Sequence, residues 1–453
     1  ANSAHNYQRM PHIVTMSSVR QAIPRIWLPE AITQGKAMGY LTDVSSVQGQ
    51  FFPVGYPSPG HVRVEMLYRY GSQMFGTMVD GNRWARMYQH ESLKFVVNQP
   101  VWHEGETPFA DVILPARPVF EKWDIGEWYN VGAGYVQHMY SMNNHRVISL
   151  QHKCIEPLGE SRSDYNIFLA IAGKLGLGAV YSEGGTSELD WCKRVFDSSD
   201  LPRHISWKQF LKKGYFVVPA DPETARAPTA NRWFHEGRKK DTPEPYPLPS
   251  DYVGGYLKGL QTTSGKFEFV AQTLKRIDDP DRPPLNRYMP TYEDPKRNPE
   301  LAGFPLKLLT PHTRYAFHVM GDDEGSSVND IREHRVFKDG RYYLVARISG
   351  PDAEARGIRD DDLVRLWNRR GSVVCAAHVT HRIQPGIVSA YAGSAQYQPV
   401  GEPGRSTDLG GCVNMLCPSE SITKKGHGIK PNTVLVQAEK WTGVDTWQPA
   451  ETA

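Results

Sequence analysis

Cysteine is scarce in this chain and poorly spaced for metal chemistry. There are five, Cys154, Cys192, Cys375, Cys412 and Cys417, and no two form a CxxC pair. That argues against a zinc or iron–sulfur site built from this chain alone, and an odd, sparse count argues against a disulfide framework. Long apolar runs are also missing. Nothing approaches the roughly 18 consecutive apolar residues of a membrane-spanning helix. Nor is there an excess of one charge: 52 basic against 49 acidic side chains leave a formal net charge of +3. A strongly basic nucleic-acid coat or a polybasic membrane arm is thereby excluded as the main theme. The start lacks Met, a basic and apolar leader and a twin-Arg signal. Ala1–Gln8 is polar, so the beginning reads as a mature, processed or cut end.

What is present is 34 Pro and 40 Gly, with 11 Trp and 22 Tyr, the mixture of a loop-rich, aromatic-rich enzyme rather than a helical bundle or repeat. A length of 453 residues leaves room for two to four domains. The segment His61–Tyr70 alternates apolar and polar residues and runs into GSQMFGT. A strand that feeds a glycine-bearing loop is half of a nucleotide-binding unit. A short helix is expected in NRWARMYQHES, a second strand in LKFVVN, a turn at Thr107–Ala110 and a third strand at Val112–Leu114. Strand, loop, helix, strand is an α/β pattern with a parallel sheet.

Further along, Asn166–Leu177 reads as a helix with Ser163 or Asp164 at its start and Gly176 or Gly178 at its end. Residues from about 218 to 300 are rich in Pro, Asp, Arg and Lys, with interleaved aromatics that suggest a connection wrapped over a surface. From Pro305, short β-rich runs alternate with turns such as NRRG and QPG, which implies a small β-barrel. PDAEARG at 351–357 reads as a helical turn with Asp352 near its cap. The expected fold is thus α/β, a partial parallel-sheet dinucleotide-binding region, plus a C-terminal β-barrel of the six-stranded type. The expected boundaries are 1–180, an irregular Pro-rich stretch 181–300, and 301–453.

Several motifs then occur in order: GETPFADVILPA, CIEPLGESRSDYNIFLAIAGKLGL, TTSGKFEF, LLTPHTRYAFHVMGDD, DAEARGIRDDDLVRLWNRRGSV, QPGIVSAY and GGCVNML. Their order resembles the C-terminal half of the molybdopterin oxidoreductases, the dimethyl sulfoxide reductase family. FVVNQPVWHEGETPFADVILPA, WKQFLKKGYFVVP and VNDIREHRV are most similar to the subgroup of large subunits that act on polyhydroxylated aromatics. These are the pyrogallol–phloroglucinol transhydroxylases, resorcinol hydroxylases and catechol dehydroxylases.

The resemblance implies a molybdenum bis(molybdopterin guanine dinucleotide) cofactor, with the metal ligand in an N-terminal half that nothing here matches. No metal ligand is therefore assigned. It implies as partners that missing half, a small ferredoxin-like subunit carrying iron–sulfur clusters, and a small phenolic substrate, with no nucleic acid and no transmembrane segment. The location is expected to be cytoplasmic, export by a leader on the missing half remaining open. Transhydroxylation leads; catechol dehydroxylation and resorcinol hydroxylation are alternatives, as is a half-subunit that only clamps the cofactor and docks a partner.

Residues follow from the cofactor's chemistry. Phosphate suits backbone N–H groups of small residues and hydroxyls, here Gly71 and Ser72 with Asn82 nearby. Gln99, Glu104 and Thr107 lie past the second strand, where open parallel sheets bind ligands, and a carboxylate there can accept from guanine. His312, Arg314 and His318 follow the strand LKLLT and resemble the family's pterin-facing loop; Asn414 resembles its pterin-edge asparagine. On the substrate side, Tyr135 and Tyr140 are candidates for polarising a phenol, and Phe51, Phe52 and Trp102 for stacking on its ring. Each aromatic alone reads more readily as core packing.

Overall fold

A computed structural model describes residues 19, 21, 23–40, 53–71, 73–128, 147–219, 264, 268–323, 325–420, 429, 432 and 434–449. Ser72, Phe51, Phe52, Tyr135 and Tyr140 lie outside the described residues. Compactness divides the chain into two units, one of 18–114 with 269–453, the other of 1–17 with 115–268. The boundaries read at 180 and 300 mark changes of composition, whereas the compact units divide after residues 114 and 268.

The first unit begins with helix α1 (Leu28–Thr33) and an antiparallel pair, β1 (Ala37–Tyr40) and β2 (Pro53–Tyr56). A parallel sheet follows, β3 (Met66–Tyr70), β4 (Phe95–Gln99) and β5 (Val112–Ile113), with helix α2 (Gly81–Tyr88) crossing between β3 and β4. The sequence pattern places these three strands and the helix correctly. The first strand is shorter than its alternation: it starts at Met66, and the Glu65 carbonyl closes the sheet edge by accepting from Lys94 and Phe95 N–H. Trp84, Ala85 and Met87 of α2 are fully buried, and their cluster includes Val96 of β4. Losing a ring such as Trp84 from a core of this kind costs about 3–5 kcal/mol. Asp111 does structural work: its carboxylate accepts from Val96 N–H at 2.7 Å and pins β4 beside the start of β5.

The second unit carries an antiparallel sheet of β6 (Asp124–Trp128), β7 (Val147–Gln151) and β8 (Tyr215–Val217). Helices α3 (Asp164–Lys174), α4 (Glu188–Asp197) and α5 (Trp207–Lys213) accompany it. Ser163 caps α3 by accepting from Asn166 N–H, and Gly176 takes positive φ just beyond its end. Ser206 and Gln209 form a reciprocal capping box on α5, and Gly214 stops that helix in the left-handed conformation. Phe196, Leu201 and Phe210 pack with Ile148 and Leu150 into this unit's own core.

The rest of the first unit is a barrel. Its strands are β9 (Leu306–Leu309), β10 (Arg335–Lys338), β11 (Arg341–Ser349), β12 (Leu363–Trp367), β13 (Ser372–Thr380), β14 (Ile387–Ala390) and β15 (Val434–Lys440). The order β11–β13–β12–β15–β9–β14 closes through β14 onto β11, so six strands form a closed mixed barrel. Two of its pairings, β11 with β13 and β9 with β14, are parallel. Strand β10 hairpins onto β11 through Asp339–Gly340, both at positive φ, which suits a tight Asp-Gly turn. Helix α6 (Gly350–Glu354) is capped by Ser349, whose hydroxyl accepts from Asp352 N–H. Asp352 itself accepts from the Ser349 hydroxyl and from Gly386 N–H. Barrel and parallel-sheet residues share one apolar cluster, in which Leu306, Leu308 and Val436 join Phe75, Trp84 and Met415. Among the described residues, no helix is long and apolar enough to cross a membrane.

Candidate cofactor cradle

Five loops of the first unit converge at the C-terminal ends of β3 and β4. Gly71 leaves β3 at φ +84 and is exposed. The turn after it is held by Glu106, whose Oε2 accepts from Met74 N–H, Phe75 N–H and the Tyr88 hydroxyl while Oε1 accepts from Arg69 Nε. Gln73 donates across to the carbonyls of Val319 at 2.6 Å and Ser394 at 3.3 Å. Asn414 donates to the carbonyls of Gly76 and Thr77 at 2.9 and 3.4 Å, and its own carbonyl accepts from Asp80 N–H. Gly76 is required here: a Cβ would sit 2.3 Å from the Ser394 carbonyl oxygen. The loops 71–78, 99–107, 319–323, 393–397 and 410–416 are thereby stitched together.

The expected residues sit in different surroundings. Gln99 is buried at the end of β4 and its Oε1 accepts from the Tyr68 hydroxyl at 2.5 Å. Thr107 donates to Asn98 Oδ1 and accepts from Glu104 N–H, so its hydroxyl is occupied by the loop itself. Asn82 lies fully buried in α2 with its amide donating to the Arg370 carbonyl, inside the core rather than at the converging loops. Asn414 is buried and its donor is committed to backbone. Trp102 is 43% exposed.

Glu104 differs from all of these. It is 2% exposed, yet neither carboxylate oxygen has a hydrogen-bond partner among the described residues. Burial pushes its carboxyl up to about 8, and the neighbouring Glu106 adds to the rise while Arg69 opposes it. Gln73 Oε1, which lies against the adjacent Gly105, is buried and also without a partner among the described residues. Buried polar atoms are nearly always paired, so these orphaned oxygens, with Asp323 Oδ1 on the facing loop, mark a place where a ligand's donors would be satisfied.

On the barrel side, the segment 311–320 presents three exposed polar side chains, His312, Arg314 and His318. His312 Nε2 and His318 Nδ1 lie 3.0 Å apart, and His318 takes positive φ. The Arg314 guanidinium lies 5.4 Å from the Tyr315 ring centroid. The base of this segment is fixed by Asp322, which the sequence did not single out. Its carboxylate accepts from Arg335 at 2.8 Å and Ala395 N–H at 3.1 Å, with His334 Nε2 at 3.3 Å. Burial would raise the Asp322 carboxyl, but His334 and Arg335 outweigh it and hold it down at about 2. Asp408 was missed as well: fully buried, it accepts from the N–H groups of Gln398, Gly410 and Cys412 and shapes the glycine turn before Asn414. Both are ordinary acidic residues in sequence; only tertiary hydrogen bonds reveal their work.

A cleft of about 630 Å³ lies elsewhere in the first unit, beside α2. Its arginines each have an anionic or carbonyl partner, Arg83 with Glu30, Arg86 with the Gly404 carbonyl and Arg405 with Glu402, although Arg83 Nε and Glu30 Oε2 are buried without one among the described residues. We place the candidate site at the converging loops, where buried polar atoms lack partners. Among the described residues no group of three His, Cys, Asp or Glu side chains is arranged to hold a metal.

Residues 306–435 match the molydopterin dinucleotide binding domain, and residues 13–174 match molybdopterin oxidoreductase. The chain belongs to the molybdopterin oxidoreductases. It is 46% identical to the pyrogallol hydroxytransferase large subunit of Pelobacter acidigallici, over 94% of this chain and 49% of that protein. It is 27% identical to trimethylamine-N-oxide reductase of Haemophilus influenzae, over 95% of this chain and 48% of that one. Among solved structures, acetylene hydratase from Pelobacter acetylenicus superimposes with a TM-score of 0.55 at 15% identity, covering 84% of this chain and 45% of that one, a likeness of fold. The chain spans about half the length of the curated relatives it matches. Within the chain, the dinucleotide-domain match contains His312, Arg314, His318, Asp322, Asp408 and Asn414, and the other match contains Gly71, Gln99, Glu104 and Thr107. The donor set fits a pterin dinucleotide: a glycine turn for phosphate, an unpartnered carboxyl and amide oxygen for a base, and exposed Arg and His for polar ring edges.

Proposed function

We propose that this chain is the cofactor-cradling portion of the catalytic large subunit of an enzyme that moves hydroxyl groups between polyhydroxylated aromatics. The carrying observation is the 46% identity to pyrogallol hydroxytransferase large subunit across 94% of the chain. The cofactor of this reading is a molybdenum held by two molybdopterin guanine dinucleotides, and when bound it supplies the redox centre. The chain's own residues bind and orient it. The Gly71 turn offers backbone N–H groups to phosphate, Glu104 and Gln99 meet a base, and Arg314 offers a planar fork of donors flanked by His312 and His318.

On the substrate side, Tyr135 and Tyr140 donate to phenolic oxygens in this reading, and Phe51, Phe52 and Trp102 stack on the ring. Partners are the remainder of the large subunit and a small ferredoxin-like iron–sulfur subunit, in the cytoplasm. The test is an assay of the native enzyme that contains this chain. With pyrogallol and a tetrahydroxybenzene co-substrate it should form phloroglucinol without added reductant. Turnover only of catechol, and only with an electron donor, would replace transhydroxylation by reductive dehydroxylation. No turnover of any phenol by a molybdenum-loaded preparation would reject the reading.

A further inference from the structure

We propose that loading the dinucleotide expels a proton: Glu104 is a neutral acid in the empty cradle and becomes a carboxylate only when a base edge brings two N–H donors to it. The inference rests on the dinucleotide reading above and concerns how that site is filled.

The first argument is the placement of partners. The Glu104 backbone is fixed, its N–H on the Thr107 hydroxyl at 3.0 Å and its carbonyl accepting from Thr107 N–H at 2.9 Å. Its side chain is the part left over, buried with both oxygens unpartnered among the described residues. An ionised carboxylate seldom persists in such surroundings without a counter-charge or hydrogen bonds.

The second argument is the charges that face it. Arg69 on β3 is the nearby cation, and its Nε is already on Glu106 Oε1. Glu106 also takes the Tyr88 hydroxyl of α2 and two backbone N–H groups, so it is the stabilised anion of the pair. Asp323, on the loop facing Glu104, adds a further carboxyl, with His103 as its own basic neighbour. A second anion at Glu104 therefore meets Glu106 and Asp323, and Arg69, which opposes the rise, is already hydrogen-bonded to Glu106. The rise of its carboxyl to about 8, led by burial and then by Glu106, agrees with this count of charges.

The third argument is complementarity. A carboxylate offers two acceptors side by side, so it matches an edge with two adjacent N–H donors. Guanine has such an edge, its ring N–H next to an exocyclic amine; hypoxanthine lacks the amine, and adenine presents a donor beside an acceptor. Two charge-assisted hydrogen bonds favour the ionised form and draw the acid below neutral pH. The proton leaves Glu104 for the buffer, and no other bond changes.

Titration calorimetry of the full chain with GMP, from pH 6 to 9 in two buffers of different ionisation heat, tests this. Phosphate titrates near pH 6, so wild type is read against Glu104→Gln, in which that contribution cancels. Near pH 7 the wild type should release about one proton more than the variant. Its affinity relative to the variant should rise about tenfold per pH unit up to about pH 8 and then level. IMP should bind more weakly than GMP to wild type and show a smaller pH dependence. Asp323→Asn, which leaves Glu104 intact, should move the levelling point to lower pH. GMP binding whose advantage over the variant is flat or falls with pH would overturn the proton-linked role alone. A folded wild type that binds no GMP at any pH would overturn the dinucleotide reading of this cluster, and this proposal with it.

Discussion

Glu104→Gln is expected to make the chain more stable at pH 8.5 and to leave it nearly unchanged at pH 5. The unfolded chain ionises Glu104 near the ordinary value of 4.5, whereas the folded chain holds it protonated up to about 8. Between those values the unfolded state is the one without the proton. Stability is therefore fully present below about 4.5, is lost as pH rises towards 8, and is not lost further above it. Glutamine has the shape of the neutral acid and no proton to lose, so it removes this slope. The gain at high pH should be on the order of 2–4 kcal/mol. Urea denaturation of both proteins at pH 5 and pH 8.5 measures it. A parallel pair of pH profiles would mean that Glu104 is ionised in the folded chain.

The second large effect is at the base of the barrel's His-Arg-His segment. Arg335 is fully buried, and Asp322 is the anion that accepts from it. Asp322→Ala leaves that guanidinium uncompensated and also strips Ala395 N–H of its acceptor. Breaking a buried pair from one side costs about 3–5 kcal/mol. The pH sign is opposite to that of Glu104. With its carboxyl held at about 2, Asp322 contributes stability that is present above the ordinary carboxyl value near 4 and is lost as pH falls through 2. The variant should show a lower melting temperature at pH 7 and a flatter acid limb. Because Val319, three residues before Asp322, is also held by Gln73, the 311–320 segment should loosen without leaving its place.

What the sequence made legible was local. The Ser163 cap and the Gly176 stop of α3 are read from residues three apart, and they stand where the pattern put them. The strands on either side of α2 follow from alternation and from a glycine turn. The barrel was legible as a class, since short strands with tight turns announce one. Its strand order was not, because β11 with β13, β9 with β14 and the closing pair β11 with β14 join distant segments. At α6 Asp352 stands near the cap as read: Ser349, three residues earlier, is the N-cap, and Asp352 in the first turn accepts from its hydroxyl and from Gly386 N–H.

The same division holds at the site. Gln99, Glu104 and Thr107 were named because ligands meet parallel sheets beyond the strand ends, and all three lie at the end of β4 or on the loop that leaves it. Glu106, two residues from Glu104 and chemically identical, was not singled out. Sequence cannot say which of two glutamates takes Arg69 and the Tyr88 hydroxyl and which is left empty. The Asp322–Arg335 pair and Asp408 were hidden likewise, since their partners come from other strands and loops.

Native enzyme containing this chain, analysed together for molybdenum and for nucleotide released by acid, tests the central claim most directly. The cradle described here predicts molybdenum together with guanine nucleotide, both lost when the 311–323 and 71–78 loops are disrupted by Asp322→Ala and by a bulky substitution at Gly76. A folded, intact preparation with neither guanine nucleotide nor pterin would contradict it.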